Sequence, residues 1–374
     1  MRKSILTYIG CACLILGTGA AFADNVPTSG GKPAFATKAD VMLSTIQSFI
    51  QAKDYKKAES VAEELTEVYS NYPSGWMILG YTRMMTGDFQ GSNLAYEQAV
   101  SVGADKGEIQ QRLAYNYIKM QDWENAAEIY ETILERDATD VDALVQYASI
   151  QSQLDRPDEA VVYFKKALEI DPSNIKVITM LAKVGEKQGM ESEVRFWLQK
   201  GLEIDPENPK LLKKYSVLLL NDQKHREALP YLEKLIDAEP DNASAFKNLG
   251  IAFYSLDRKK DAKGAFEKAR ELGAKMNGTY GPLAESYRAT GDRINALAVV
   301  KEGISAQDQQ AWLYCIWGKL LEDAQDFDGA LAKFRRVAEF KEKPWNDYAN
   351  KEIARQLKLK KRAELMAAQA GVDE

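Results

Sequence analysis

Small and large apolar residues alternate along this chain in a pattern that repeats every 34 positions. Stepping by that interval from Ala148 meets Gly80, Ala114, Ala148, Ala182, Ser216, Gly250, Ala284 and Gly318, all small. Twelve positions later come Ser92, Ala126, Ala160, Val194, Ala228, Ala262, Ala296 and Ala330. Four further on stand Tyr96, Tyr130, Phe164, Leu198, Leu232, Phe266, Val300 and Phe334, all large and apolar. Within a unit the apolar positions follow three- and four-residue steps, as Leu144, Tyr147, Ala148 and Gln151 do, which is the signature of an amphipathic helix. Small residues let two helices approach closely, and large ones fill the space beside them. The pattern therefore predicts two helices per unit.

Turn chemistry separates these helices. Gly87-Asp88-Phe89, Gln121-Asp122-Trp123 and Gly291-Asp292-Arg293 fall between the two helices of a unit. There glycine ends one helix and aspartate caps the next. Asp171-Pro172, Asp205-Pro206 and Glu239-Pro240 fall between units, where proline stops the preceding helix for want of an N–H donor.

A 34-residue helix–turn–helix unit with these columns resembles the tetratricopeptide repeat. The family's consensus residues match at Trp76, Leu79, Gly80 and Tyr96 in one unit, and at Leu144, Ala148, Ala160, Phe164, Ala167 and Pro172 in another. The resemblance implies an all-α fold: a right-handed superhelical α-solenoid of about nine tetratricopeptide helix–turn–helix repeats plus a C-terminal capping helix. The expected organisation is a signal peptide at 1–23, a flexible linker at 24–38, the repeat solenoid at 39–344, and a capping helix with its tail at 345–374. Gln110, Gln151, Arg83 and Gly185 replace apolar consensus residues, so those helix faces are expected to pack less tightly. Val194 stands where a small residue is expected.

Composition narrows the function. The formal charge of −6 and the absence of a basic tail argue against nucleic acid as a partner. Arg2-Lys3, the apolar run from Ile5 to Ala21 and the Ala21-Phe22-Ala23 site predict an export signal cleaved before Asp24, with a periplasmic destination. A retained anchor and lipidation at Cys11 are the alternatives. After cleavage 47 basic residues face 55 acidic ones, and no remaining stretch has the length and apolarity of a transmembrane span. Asp24–Ala36, with Pro27, Gly30, Gly31 and Pro33, reads as linker. The single histidine, His225, lies between two cations, and only Cys315 would remain after cleavage. No metal motif, phosphate loop or nucleophile with its base stands out, so neither a cofactor nor catalysis is expected.

The resemblance also implies where a ligand would lie. In this family the first helices of successive repeats line a concave groove that takes peptides or partner helices. The groove-facing columns supply Met77, Tyr81, Met84, Tyr115 and Ile118 toward the N-terminus, an adaptable apolar and aromatic set. In the middle repeats they supply Lys176, Thr179, Lys183, Lys210, Lys213, Lys247, Ile251 and Tyr254, with Asn248 beside them. That second set suits an acidic segment or a chain-terminal carboxylate, unless its lysines are only solvated surface. Lys213 and Asn248 match two positions of a carboxylate clamp found in some family members, but Val217, Gly278 and Pro282 break the rest of it. The expected function is a non-enzymatic scaffold that binds partner proteins or peptides in the groove and serves in assembling or organising a cell-envelope complex. The alternatives are a self-associating structural component, forming a homo-oligomer, and a non-catalytic subunit of an export or polysaccharide machine.

Overall fold

The computed structural model describes residues 38–340 and 343–370. The expected signal peptide and the linker up to residue 37 lie outside them. The described residues form nineteen helices and no strand, as the helical periodicity requires.

The chain divides after Pro172 into two compact units. The first holds four helix pairs: α1 (Lys38–Gln51) with α2 (Tyr55–Val68), α3 (Pro73–Thr86) with α4 (Phe89–Ser101), α5 (Lys106–Met120) with α6 (Trp123–Arg136), and α7 (Val141–Gln153) with α8 (Pro157–Ile170). The second holds five more: α9 (Ile175–Gln188) with α10 (Glu191–Ile204), α11 (Pro209–Asn221) with α12 (His225–Ala238), α13 (Ala243–Ser255) with α14 (Lys259–Glu271), α15 (Tyr280–Ala289) with α16 (Arg293–Ser305), and α17 (Gln310–Asp323) with α18 (Phe327–Glu339). The long helix α19 (Trp345–Ala370) follows. Within each unit every helix packs on the one before it and the one after it, which makes each an α-solenoid of repeats.

The columns explain the pairing. A Cβ added to Gly80 would stand 2.7 Å from the Tyr96 ring, one on Gly250 2.5 Å from Phe266, and one on Gly318 2.8 Å from Phe334. In these three repeats the aromatic of the second helix thus lies directly on the backbone of the first. Ser92 adds a hydroxyl that donates to the Gly80 carbonyl at 2.6 Å. Between the helices, Gly87 has φ 91° and Gln121 φ 61°, the left-handed conformation that ends a helix. Asp88 and Asp122 then accept from the backbone N–H of Gly91 and Asn125 and cap the next helix.

The departures from consensus do not loosen the packing. Gln110 and Gln151 are 4 % and 1 % exposed, and Arg156 donates to Gln151 Oε1 at 3.3 Å. Arg83 forms ion pairs with Glu59 and Glu63. A Cβ on Gly185 would meet Val194 Cγ2 at 3.0 Å. The larger residue at Val194 is therefore matched by a missing side chain opposite, and the two departures compensate each other.

One repeat is shortened. Its columns place its start at Asn277, yet α15 begins only at Tyr280. Gly278 takes φ 77°, its N–H donates to Asp308, and its carbonyl accepts from Gln309 Nε2 at 3.0 Å. The Gly281 N–H donates to Gln309 Oε1 at 2.9 Å. These bonds tie the residues that would make the first helical turn to the loop ahead of α17.

Candidate functional site

In the first unit the columns place Met77, Tyr81 and Met84 on α3 and Tyr115 on α5. Tyr81 and Met84 are only 9 % and 8 % exposed. The Tyr55 ring meets Tyr81 edge-on at 6.4 Å, and the Arg112 guanidinium lies 5.8 Å over its face. Burial, with the neighbouring Tyr55 adding to it, raises the Tyr81 phenol above its usual range. Met77 packs against the buried cluster of Tyr96, Ala99 and Ile109. Tyr115 remains half-buried, with Phe89 edge-on at 6.5 Å and the Lys119 ammonium 5.1 Å from its ring. Much of this apolar set is engaged in packing between repeats.

In the second unit the first helices also touch one another, α11 with α13, α13 with α15 and α15 with α17. They form the inner side of that stack. Lys176 and Lys183 project from α9, Lys210 and Lys213 from α11, and all four are exposed. Lys247 on α13 is half-buried, and its ammonium donates to the Lys275 carbonyl at 3.2 Å. Asn248 beside it is half-buried. Lys214 of α11 reaches back to Glu186 of α9 at 2.5 Å, which joins the two lysine-bearing helices. Lys176, Lys210 and Lys213 make no ion pair with any described residue, whereas Lys214, Lys259, Lys263, Lys268, Lys319 and Lys360 each have an acidic partner. Unpaired ammonium groups on one face leave a local positive field in a chain of net negative charge.

Tyr254, at the far end of α13, donates to the Glu285 carboxylate of α15. Lys259 places its ammonium 3.4 Å from the Tyr254 ring centroid and donates to the Tyr254 carbonyl. Burial first, and the Glu285 carboxylate second, raise the Tyr254 phenol far above its ordinary value, so it keeps the proton it donates to Glu285. Glu285 also lies 3.9 Å from Lys319 of α17. Arg288 grips Asp323 through two bonds at 2.8 and 3.1 Å, and Arg355 of α19 pairs with Glu322. From Tyr254 onward the charged groups Glu285, Lys319, Arg288, Asp323, Glu322 and Arg355 are therefore paired with one another, in contrast to Lys176, Lys210 and Lys213.

Sequence reasoning missed the residues that dominate this end: Trp312, Glu285, Lys319, Trp345 and Tyr348. The signal was available. Trp312 occupies the same column as Lys176 and Lys210, and Glu285 and Lys319 the same column as Lys183 and Ile251.

Among the described residues no group of three histidine, cysteine, aspartate or glutamate side chains is arranged to hold a metal ion. No described helix is long and apolar enough to cross a membrane. Cys315 is buried beneath α19, and that burial pushes its thiol up to about 12.

Comparison with known proteins agrees with this architecture. Three stretches match tetratricopeptide repeat family profiles, residues 108–139, 141–174 and 217–277. Protein FlbA of Caulobacter vibrioides is 31 % identical over 112 residues, covering 30 % of this chain and 19 % of that protein's length. The chain thus aligns with less than a fifth of this relative. The C-terminal part of a repeat-containing protein from Cytophaga hutchinsonii superposes with a TM-score of 0.52 at 19 % identity, over 62 % of this chain and 95 % of that one. The pilF protein of Pseudomonas aeruginosa superposes with a TM-score of 0.43 at 22 % identity, over 58 % and 99 %. With the columns, the helix pairs and three profile matches in agreement, the chain belongs to the tetratricopeptide repeat proteins.

Proposed function

We propose that this protein is an exported, non-enzymatic scaffold that binds an acidic segment of a partner protein on the inner side of its second unit. The tetratricopeptide repeat fold is an interaction fold, and protein or peptide is the ligand class it suits. The observation that carries the acidic preference is the set of Lys176, Lys210 and Lys213, exposed on adjacent repeats without an acidic partner among the described residues. Their charges stay available to a ligand instead of being spent within the chain. Lys247 and Asn248 extend the row onto α13 and offer directed N–H donors to a carboxylate or a peptide carbonyl.

The export signal read from Arg2-Lys3 and the apolar run to Ala21 supports a periplasmic location. Export together with an interaction fold supports a part in assembling or organising a cell-envelope complex.

The test uses the protein begun at Asp24 and a fluorescent peptide rich in aspartate and glutamate. Charge reversal at Lys176, Lys213 and Lys247 is expected to weaken binding at low salt tenfold or more, equivalent to about 1.4 kcal/mol. Wild-type binding is expected to weaken as salt rises, because exposed charge contacts are screened. Equal binding by the wild type and the triple variant at low salt would sink the lysine reading. A mass that climbs with concentration, without peptide binding, would favour self-association instead.

A further inference from the structure

The second unit carries a row of aromatic rings along its inner side. Tyr254 of α13 lies 6.1 Å from Trp312 of α17, Trp312 lies 6.2 Å from Trp345 of α19, and Trp345 lies 6.4 Å from Tyr348, centroid to centroid. The two indoles are stacked, with 20° between their planes. All four residues remain partly exposed.

A glycine in α15 makes this row continuous. Gly281 occupies the column that carries Lys213 and Lys247 two and one repeats earlier. A Cβ there would stand 2.6 Å from the Trp312 indole. Without a side chain at Gly281, Trp312 lies on the α15 backbone and its ring reaches Tyr254 of α13.

The row is also fixed in place. Glu285 accepts from Tyr254 and neighbours Lys319, and the Lys319 ammonium sits 5.5 Å over Tyr348. Preset rings lose little freedom on binding, which raises what each contact contributes.

Three observations select the ligand. The ring step of 6.1 to 6.4 Å is close to two residues of a β-strand, roughly 6.6 Å, a geometry that puts alternate side chains on one face. Alternate side chains of an extended peptide would therefore meet successive rings. The row begins on α13, where Tyr254 stands seven residues beyond Lys247 and shares its helix face. The charges around the row are paired within the chain, so the ligand portion above it need not be charged.

Resting on the function proposed above, we infer that the row Tyr254, Trp312, Trp345 and Tyr348 reads apolar or aromatic side chains at alternate positions of the same extended peptide whose acidic portion lies on the lysines. The preferred ligand is then a bipartite segment, acidic at one end and alternately apolar at the other.

The experiment pans a phage-displayed library of random peptides on the protein begun at Asp24, and on its Trp312→Ala/Trp345→Ala variant. Peptides enriched on the wild type should join an acidic stretch to apolar residues at every second position. On the variant the acidic stretch should survive and the apolar alternation should disappear, and the best wild-type peptide should bind it about tenfold more weakly. Because removing both indoles takes away their stacked contact at the end of the unit, the second readout keeps the wild-type chain. In fluorotryptophan-labelled protein, fluorine NMR should show the Trp312 and Trp345 resonances shifting with an enriched peptide while Trp76 stays put. Enrichment of acidic peptides without the alternation overturns the aromatic row and leaves the lysine site standing. No enrichment on the wild type overturns both. Alternation that persists on the variant, with silent Trp312 and Trp345 resonances, overturns the row, as does a shift of those resonances by an oligosaccharide and not by peptide.

Discussion

At the scale of the residue, the fold rests on which side chain is missing opposite which ring. Gly250 lies in the middle of α13, where alanine is intrinsically the better helix former by about 0.5–1 kcal/mol. Only the contact with Phe266 opposes that preference. Gly250→Ala is therefore expected to destabilise the protein by about 1–3 kcal/mol through overpacking. Combined with Phe266→Leu, it should cost clearly less than the sum of the two single changes, because the added methyl then has room. Urea unfolding followed by circular dichroism measures both, and a stable Gly250→Ala protein would show that the ring can move aside. The same reciprocity accounts for Gly185 opposite Val194. In the first unit Asn116 plays a polar version of this role. Fully buried, it donates to Ser92 Oγ at 2.8 Å and Asn93 Oδ1 at 2.7 Å, tying α5 to α4.

At the scale of the element, α19 closes the second unit. Its Ala349 is buried with Ala311, Cys315 and Val337, and Trp345 and Tyr348 pack beside them. Arg355 and Lys360 hold it to Glu322 and Asp328. A solenoid lacking its final cover exposes the apolar side of its last repeat. Ending the chain at Phe340 is expected to remove on the order of a few kcal/mol from the second unit. It should also open Cys315 to solvent. In the protein begun at Asp24, that thiol should resist a disulfide reagent until unfolding, whereas in the shortened chain it should react under native conditions. A thiol equally shielded in both would mean that α19 does not cover this end.

At the scale of the whole molecule, buried phenols make alkaline pH a probe of the packing. Burial above all pushes Tyr96, Tyr147 and Tyr287 up to about 12 from the ordinary 10.0, and Cys315 up to about 12 from 9.0. The unfolded chain releases these protons at the ordinary values while the folded chain keeps them. Their contribution is thus complete below about pH 9 and is lost as pH rises toward 12. The urea midpoint should fall steadily across that window, and less steeply in Tyr147→Phe. A flat midpoint there would mean that these groups ionise freely in the folded protein. Tyr96 and Tyr147 lie in the first unit and Tyr287 and Cys315 in the second, so both units report.

The amino-acid order alone determined the period, the helix pairs, the caps at Asp88 and Asp122 and the small–large columns. These depend on contacts within about forty residues, and eight copies in register make each copy confirm the others. It also determined which positions carry the lysines of α9, α11 and α13. Only the tertiary structure decided which groove-column residues stay open. Tyr81 is closed over because Tyr55 and Arg112 converge on it from the repeats on either side, and a column taken one unit at a time does not show its neighbours. The late start of α15 depends on bonds from Gly278 and Gly281 to Asp308 and Gln309, some thirty residues away. The missing side chain at Gly281 lets Trp312 lie against the α15 backbone, where its ring meets Tyr254. The ring row is thus a consequence of packing between repeats, which the periodic pattern constrains only on average.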